Sequence, residues 1–337
     1  GELPMGDVRL HGPIGARLDA IVENHVKRTD TTRITNPYRS HGVRKHWYTE
    51  FWGKYMHSAM PLWAYTGDAL KSRIDAGFET VIANQCPDGY LGDYAAADRC
   101  GPMWDVWCQK YTMLGLLHYY DFTGDKRAID ACRRECDYLI EQIGPNAKTA
   151  PIHRTGKYAG LPSCSALEPV VWLYNRTKEA KYLDFAKFIV RAIEAPDGNK
   201  LVSQALEGVL PADRSHTLDK WKDRTKAYEM LSCYQGLVEL YEATGEAKLL
   251  EAAVRTVDAV VADEMNVCGG MASGEHWFHG EGKQHLPYVR LQETCVTTTW
   301  LRLLEKLHAV TGETKYLDLF ERAFYNAYLA AVNRDGS

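Results

Sequence analysis

The sequence predicts an all-α fold in which helical hairpins repeat around a ring, an (α/α)6 toroid. The first observation is a recurring helix break, Thr followed closely by an acidic residue, at positions 66–68, 123–125, 177–179, 244–246 and 311–313. The second is that apolar residues recur at helical spacing on both sides of each break, while no segment alternates as a β-strand does. A unit that recurs in this way indicates packed helical hairpins.

Each break has a physical explanation in the residues that form it. Gly commonly ends a helix because it adopts the left-handed backbone conformation at no steric cost. An acidic residue next to it favours the start of the following helix, because its charge complements the helix dipole. An open helical solenoid is the alternative, but its repeats have nearly constant periods of about 34–47 residues. Here the spacing is 54–67 residues and unequal, which favours the toroid, one hairpin or helix short of closure.

Composition excludes several classes of function. The chain has 337 residues with 45% hydrophobic residues and a formal net charge of −4. No cluster of Lys and Arg indicates a nucleic-acid surface, and no apolar stretch reaches the 18 residues of a membrane-spanning helix. Nine cysteines form no disulfide pattern, and most lie in helical stretches as small apolar residues.

The long segment 269–295 is the first candidate for a functional site, because loops of this length in compact domains are commonly functional. It carries Glu275 beside Trp277 and Phe278. Hydrolysis of a glycosidic bond needs a carboxylic acid for the leaving oxygen, and apolar neighbours favour the protonated form. Glu275 is therefore the candidate general acid, and a solvated loop glutamate is the alternative.

Metal ligands are predicted at the end of the same segment. Glu293 and Cys295 are two positions apart at the start of a helix for which Thr294 is the predicted N-cap, and a carboxylate with a thiolate suits zinc. The alternative is a dipole-favoured glutamate with a packed cysteine. His276, His279 and His285 form a second possible cluster, but their spacing matches no zinc pattern, so we assign His276, Trp277 and His279 to substrate binding.

Other aromatic and acidic residues at predicted loop–helix junctions are secondary candidates. Trp52 and Trp107 are predicted to stack on a sugar, with packing in the core as the alternative. Asp88 lies in a turn motif, and Asp105 is a predicted N-cap.

Six motifs along the chain together carry a resemblance to a known family: TEFWGKY, QCPDGYLGDY, DVWCQKYTMLGLLHYYDFTGD, GEHWFHG, QETCVTTTW and FERAFYNAYLAAVNRDG. With them, essentially the whole chain resembles the bacterial β-L-arabinofuranosidases. The resemblance implies one (α/α)6 catalytic domain over residues 1–337, followed in the full-length protein by β-sandwich domains. It also implies a retaining exo-glycoside hydrolase acting on an oligosaccharide or glycoside.

The resemblance also implies roles for individual residues. Glu275 corresponds to the general acid/base, and Glu293 and Cys295 correspond to zinc ligands. Two further cysteines, adjacent in sequence, would complete the zinc site, and one of them is the nucleophile. Zinc keeps a thiol in its thiolate form at neutral pH, which suits attack on an anomeric carbon.

Two departures from the family pattern change the expectations. No two cysteines are adjacent in this sequence, so we expect that the sequence is a fragment and that the nucleophile lies beyond it. DVWCQKY stands where family members active on β-L-arabinofuranosides have a His-rich helix. The substrate is therefore open to other sugars, for example an anhydro- or deoxy-sugar from a plant or algal polysaccharide.

Two rival hypotheses remain at this stage. One is a carbohydrate-binding toroid that has lost its nucleophile, and the other is a metal-free toroid hydrolase using Asp88 and Asp105. The second would require both carboxylates to line a cavity and Cys295 to be sealed in the core. A homodimer stays open, and the sequence does not decide between the periplasm and the cytoplasm.

Overall fold

The computed structural model describes residues 5–42, 46–214, 225–287 and 292–336. Within them the chain is helical, and the only β-type pairings are isolated bridges at His276. No described helix is both long and apolar enough to cross a membrane. The residues group into two compact units, 1–149 with 332–337 and 150–331. The single domain expected over 1–337 remains a prediction.

The first unit contains helices α1 to α6. Their bounds are α1 Gly12–Ile21, α2 Thr31–Thr35, α3 Glu50–Thr66, α4 Lys71–Ala83, α5 Asp105–Thr123 and α6 Lys126–Ile143. A π-helical segment, Val22–Val26, continues α1, and short 3-10 turns occupy Met5–Asp7, Asn36–Arg39, Asp68–Leu70 and Ala96–Asp98. Helix α5 is buried along most of its length and packs against α3 and α6.

The second unit contains helices α7 to α15. Their bounds are α7 Leu161–Cys164, α8 Leu167–Thr177, α9 Ala180–Ile193, α10 Leu201–Leu206, α11 Ala227–Thr244, α12 Ala247–Asp263, α13 Thr294–Thr311, α14 Lys315–Ala323 and α15 Leu329–Ala331. A π-helical segment, Phe324–Tyr328, joins the last two, and 3-10 turns occupy Ile152–Arg154, Tyr158–Gly160, Pro211–Asp213 and Glu281–Lys283. Helix α11 is the central element, since it is largely buried and packs against α8, α12 and α13.

The five predicted helix breaks are confirmed, because α3, α5, α8, α11 and α13 all end at the Thr of the motif. After α5, α11 and α13 the next Gly is left-handed, and Lys178 adopts the same conformation after α8. The Thr hydroxyl donates to the carbonyl four residues back, as Thr244 does to Leu240 at 2.7 Å. At four of the breaks it also accepts the N–H of the following acidic residue, as from Glu246 at 3.3 Å. The Thr thus links the end of one helix to the start of the next.

A buried acid in α6 gives a stability prediction for the first unit. Glu135 is 0% exposed, and neither carboxylate oxygen has a hydrogen-bond partner among the described residues. Burial, with the charge of Asp105, raises the pKa of Glu135 well above its usual value. The folded state therefore holds this proton more tightly than the unfolded state. Stability falls as the pH rises from about 4.5 towards the folded pKa.

Glu135→Leu is expected to raise the free energy of unfolding by about 1–3 kcal/mol at pH 8, and by less at pH 5. Urea unfolding at the two pH values measures this difference. The matched control is Glu141→Leu on the same helix, where the side chain is 48% exposed and pairs with Lys148. A gain in the free energy of unfolding from Glu135→Leu that is smaller at pH 8 than at pH 5 would contradict this explanation.

Candidate active site

Glu275 lies at the tip of a tight turn that is fixed to the start of α11. Ser273 and His276 exchange backbone hydrogen bonds at 2.9 and 3.1 Å across the turn. The two residues between them, Gly274 and Glu275, have φ of +55° and +74°. Positive φ at both central positions is typical of a type I′ turn, and a non-glycine residue adopts it only where the surroundings hold it.

Backbone hydrogen bonds to residues 225–227 hold Glu275 in this conformation. The Ala227 N–H donates to the carbonyl of Glu275, and the Trp277 N–H donates to the carbonyl of Thr225, both at 2.9 Å. The side chain of Glu275 is 54% exposed. The loop therefore presents this carboxylate to solvent from a backbone that is fixed on both sides.

A buried cation contacts the Glu275 carboxylate. Lys226 Nζ donates to Glu275 Oε2 at 2.5 Å and lies 3.6 Å from Glu229 Oε1. The Lys226 and Glu229 side chains are 3% and 2% exposed. Burial alone would lower the pKa of Lys226, but the Glu229 charge and the hydrogen bond to Glu275 raise it above the ordinary value. Lys226 is therefore a charged ammonium at neutral pH.

Glu229 lies within the electrostatic influence of two predicted site residues. Its burial raises its pKa to about 7, and Lys226 opposes this shift. The negative charges of Glu275 and Glu293 both raise the same pKa further. The candidate acid and the candidate zinc ligand thus act on one buried carboxyl group.

Glu293 and Cys295 lie at the start of α13. The N-cap is Glu293 and not Thr294, because Glu293 has extended φ and ψ (−132°, 131°) and Thr294 is already helical. The Glu293 N–H donates to the Met271 carbonyl at 3.1 Å, which connects α13 to the loop that carries Glu275. Cys295 lies in the first turn, as predicted, and it is exposed.

The three histidines of the alternative metal cluster are not brought together in the described residues. His276 Nδ1 lies 3.2 Å from the Thr225 hydroxyl, whereas His279 Nδ1 lies 2.8 Å from Asp263 Oδ2. The only described group of three possible ligands combines His279 with Asp263 and Glu264. The Glu264 carboxylate accepts hydrogen bonds from the backbone N–H groups of residues 278–280. That carboxylate shapes the loop.

Three tryptophans predicted to bind substrate are buried. Trp52, Trp107 and Trp277 are 1%, 2% and 3% exposed. Trp52 fills the contact between α3 and α5, where a Cβ on Gly115 would come within 2.9 Å of its ring. Trp277 Nε1 donates to the Met230 sulfur at 3.2 Å. This burial argues against direct sugar contacts and supports the core alternative. His276 is half-buried, and the His279 side chain is 41% exposed.

The arrangement required for a metal-free aspartate hydrolase is not met. Asp105 is 1% exposed and accepts hydrogen bonds from the Tyr90 hydroxyl at 2.6 Å and the Cys100 N–H at 2.8 Å. Its burial raises its pKa to about 6. Asp88 pairs with Arg99 at 3.0 Å, and Cys295 is exposed and not sealed in the core.

Sequence reasoning missed Lys226, Glu229 and Tyr158. The Lys226 ammonium lies 5.0 Å from the centroid of the Tyr158 ring, which itself packs edge-on against His276 at 5.8 Å. A Lys and a Glu three positions apart at a helix start look the same as an ordinary surface pair. The one available signal was their spacing, and it did not indicate burial.

Comparison with known proteins gives one family. The sequence-family model of the β-L-arabinofuranosidase GH127 catalytic domain matches residues 14–337 of this chain. Among solved structures, a GH127 β-L-arabinofuranosidase from Geobacillus stearothermophilus T6 is similar, with a TM-score of 0.75 and 18% identity over 98% of this chain. A second GH127 β-arabinofuranosidase has a TM-score of 0.75 and 21% identity over 99% of the chain. No curated protein sequence matches.

These structures confirm the predicted fold class, an all-α (α/α)6 architecture. A sugar epimerase from a ruminal bacterium shares it more distantly, with a TM-score of 0.58 and 11% identity over 93% of this chain and 87% of its own. The chain spans 57% and 55% of the length of the two GH127 structures.

Proposed function

The chain belongs to the β-L-arabinofuranosidase family of GH127 catalytic domains, and on that basis we propose that it forms part of a retaining exo-glycoside hydrolase. Its substrate would be a terminal furanose-like or modified sugar at the end of a plant or algal glycan. The observation that carries the proposal is the position of Glu275, a half-exposed carboxylate on a fixed turn beside a buried ammonium.

Glu275 is proposed as the general acid/base. In a retaining hydrolase one carboxyl group first protonates the leaving oxygen and then removes a proton from the attacking water. A group with both duties must be open to the substrate and to water, and the exposure of the Glu275 side chain supports this role. The turn supplies the fixed position that proton transfer needs.

The donor set at the start of α13 fits zinc in part. Glu293 and Cys295 supply a carboxylate and an exposed thiol at the same helix end, which are accepted zinc donors. Bound zinc would hold cysteine thiols as thiolates. Four ligands are usual, and the sequence contains no adjacent cysteine pair that would supply the other two. No residue of this chain is assigned the role of nucleophile.

The proposal is tested by the hydrolysis of 4-nitrophenyl β-L-arabinofuranoside and a panel of aryl glycosides of anhydro- and deoxy-sugars by the full-length protein. The anomer released first, followed by ¹H NMR, is expected to have the configuration of the substrate. Release of the opposite anomer would contradict the retaining mechanism. Saturable binding of an oligosaccharide without any hydrolysis would favour a carbohydrate-binding protein instead.

A further inference from the structure

Lys226 is held between three groups that together fix its ammonium. Glu275 Oε2 lies at 2.5 Å, Glu229 Oε1 at 3.6 Å, and the centroid of the Tyr158 ring at 5.0 Å. The two carboxylates and the aromatic face are all attractive to a cation, and the side chain is 3% exposed. A buried ammonium is costly unless it is paired, so this arrangement defines one position for Nζ.

We propose that Lys226 is a positioning residue that fixes the carboxylate of Glu275 for proton transfer, and that Glu229 anchors Lys226 in turn. This inference rests on the proposed function of Glu275 as acid/base. It adds a residue pair, on a different segment of the chain, that determines how the acid/base works.

The first consequence concerns the freedom of the Glu275 side chain. A half-exposed glutamate at the tip of a turn would sample several rotamers, and fixing such a side chain costs conformational entropy. The bond to Lys226 fixes the carboxylate before substrate binds. A catalytic group that is already in place contributes more to the rate than one that must be ordered in the transition state.

The second consequence concerns which oxygen carries the proton. An ammonium has three donors and no acceptor, so Oε2 stays an unprotonated acceptor of the Lys226 hydrogen bond. The proton that Glu275 donates is therefore on Oε1. In the first step the Oε1–H bond breaks as the leaving oxygen gains that proton, and in the second step Oε1 takes a proton from water. Lys226 keeps all of its protons throughout.

Glu229 explains why the cation stays in place. It is one helical turn from Lys226 and is 2% exposed, so its carboxylate faces protein atoms. Without Glu229, the Lys226 ammonium would form hydrogen bonds to water as well as to the exposed Glu275. Lys226 opposes the effect of burial on the pKa of Glu229, so loss of Lys226 raises that pKa further. It leaves a buried carboxyl group without its ionic partner, which costs stability.

The test uses the dependence of the rate on the leaving group. An aryl glycoside with an acidic leaving group, such as 2,4-dinitrophenol, needs little protonation, whereas 4-methoxyphenol needs it strongly. Lys226→Met is expected to lower kcat/KM by about 10–100-fold for the 4-methoxyphenyl glycoside and by less than about 3-fold for the dinitrophenyl glycoside. Lys226→Arg, which keeps a donor and a charge, is expected to recover at least half of the loss on a logarithmic scale.

The matched control is Lys306→Met. Lys306 also forms a largely buried ion pair in the second unit, with Glu239. Glu239 lies about four helical turns along α11 from Lys226. Lys306→Met is expected to change kcat/KM only slightly, and by the same factor for both glycosides. If Lys226→Met does not fold, Lys226→Met combined with Glu229→Gln removes the buried acid that has lost its partner, and it is expected to show the same leaving-group pattern.

Glu275→Gln, measured on both substrates, separates the two claims. If it shows the leaving-group dependence and the Lys226 variants do not, the positioning role is wrong and the acid/base assignment stands. If Glu275→Gln shows no such dependence, the proposed function itself has failed. Equal losses on both substrates in Lys226→Met, with no recovery in Lys226→Arg, would also overturn the inference.

Discussion

Glu275→Gln is expected to lower kcat/KM about 10²–10⁴-fold for a glycoside with a poor leaving group, because glutamine cannot donate or accept the proton. Gln has nearly the same shape, and the turn is held by backbone bonds of residues 225–227, so folding should be retained. Steady-state kinetics on the 4-methoxyphenyl glycoside measure the loss, and circular dichroism checks the fold.

The matched control for this variant is Glu281→Gln, an exposed glutamate in a 3-10 turn of the same loop. It is expected to keep the activity of the natural protein. A fully active Glu275→Gln enzyme would remove the acid/base assignment, and with it the central argument for how the chain works.

Cys295→Ser and Glu293→Gln are each expected to reduce zinc affinity by at least about 100-fold in the full-length protein, since even groups that only orient a ligand contribute 10–100-fold. The Glu293 side chain makes no capping bond to α13, so its replacement should leave the helix in place. Elemental analysis after dialysis measures the zinc that each variant retains.

Cys268→Ser is the control for the zinc prediction, because Cys268 is the other exposed cysteine of the described residues. It is expected to retain as much zinc as the natural protein. About one zinc per chain retained by both Cys295→Ser and Glu293→Gln would contradict the ligand assignment.

The helix breaks could be predicted because their cause is local. A Thr, an acidic residue and, at four of the five breaks, a left-handed residue act within a few positions. The structure ends each helix at that Thr. The position of Cys295 in the first turn of α13 was predictable for the same reason. Local chemistry also suggested Glu275, but for apolar neighbours, whereas its carboxylate is exposed and contacts Lys226.

Burial could not be predicted where it depends on distant partners. Trp52 and Trp107 at helix starts have the composition of a sugar-stacking surface, but they are packed in the core of the first unit. Lys226 meets Glu275 across 49 residues of sequence, and nothing near either residue indicates the contact. The backbone pairing of two loops decides it.

Rescue of Glu275→Ala by azide tests the acid/base assignment most directly. Azide is a nucleophile that needs no base to remove a proton, so it can replace water when the base is missing. With the dinitrophenyl glycoside, the account predicts that azide restores turnover and yields a glycosyl azide with the configuration of the substrate. No rescue by azide, or an azide product of inverted configuration, would contradict the role of Glu275.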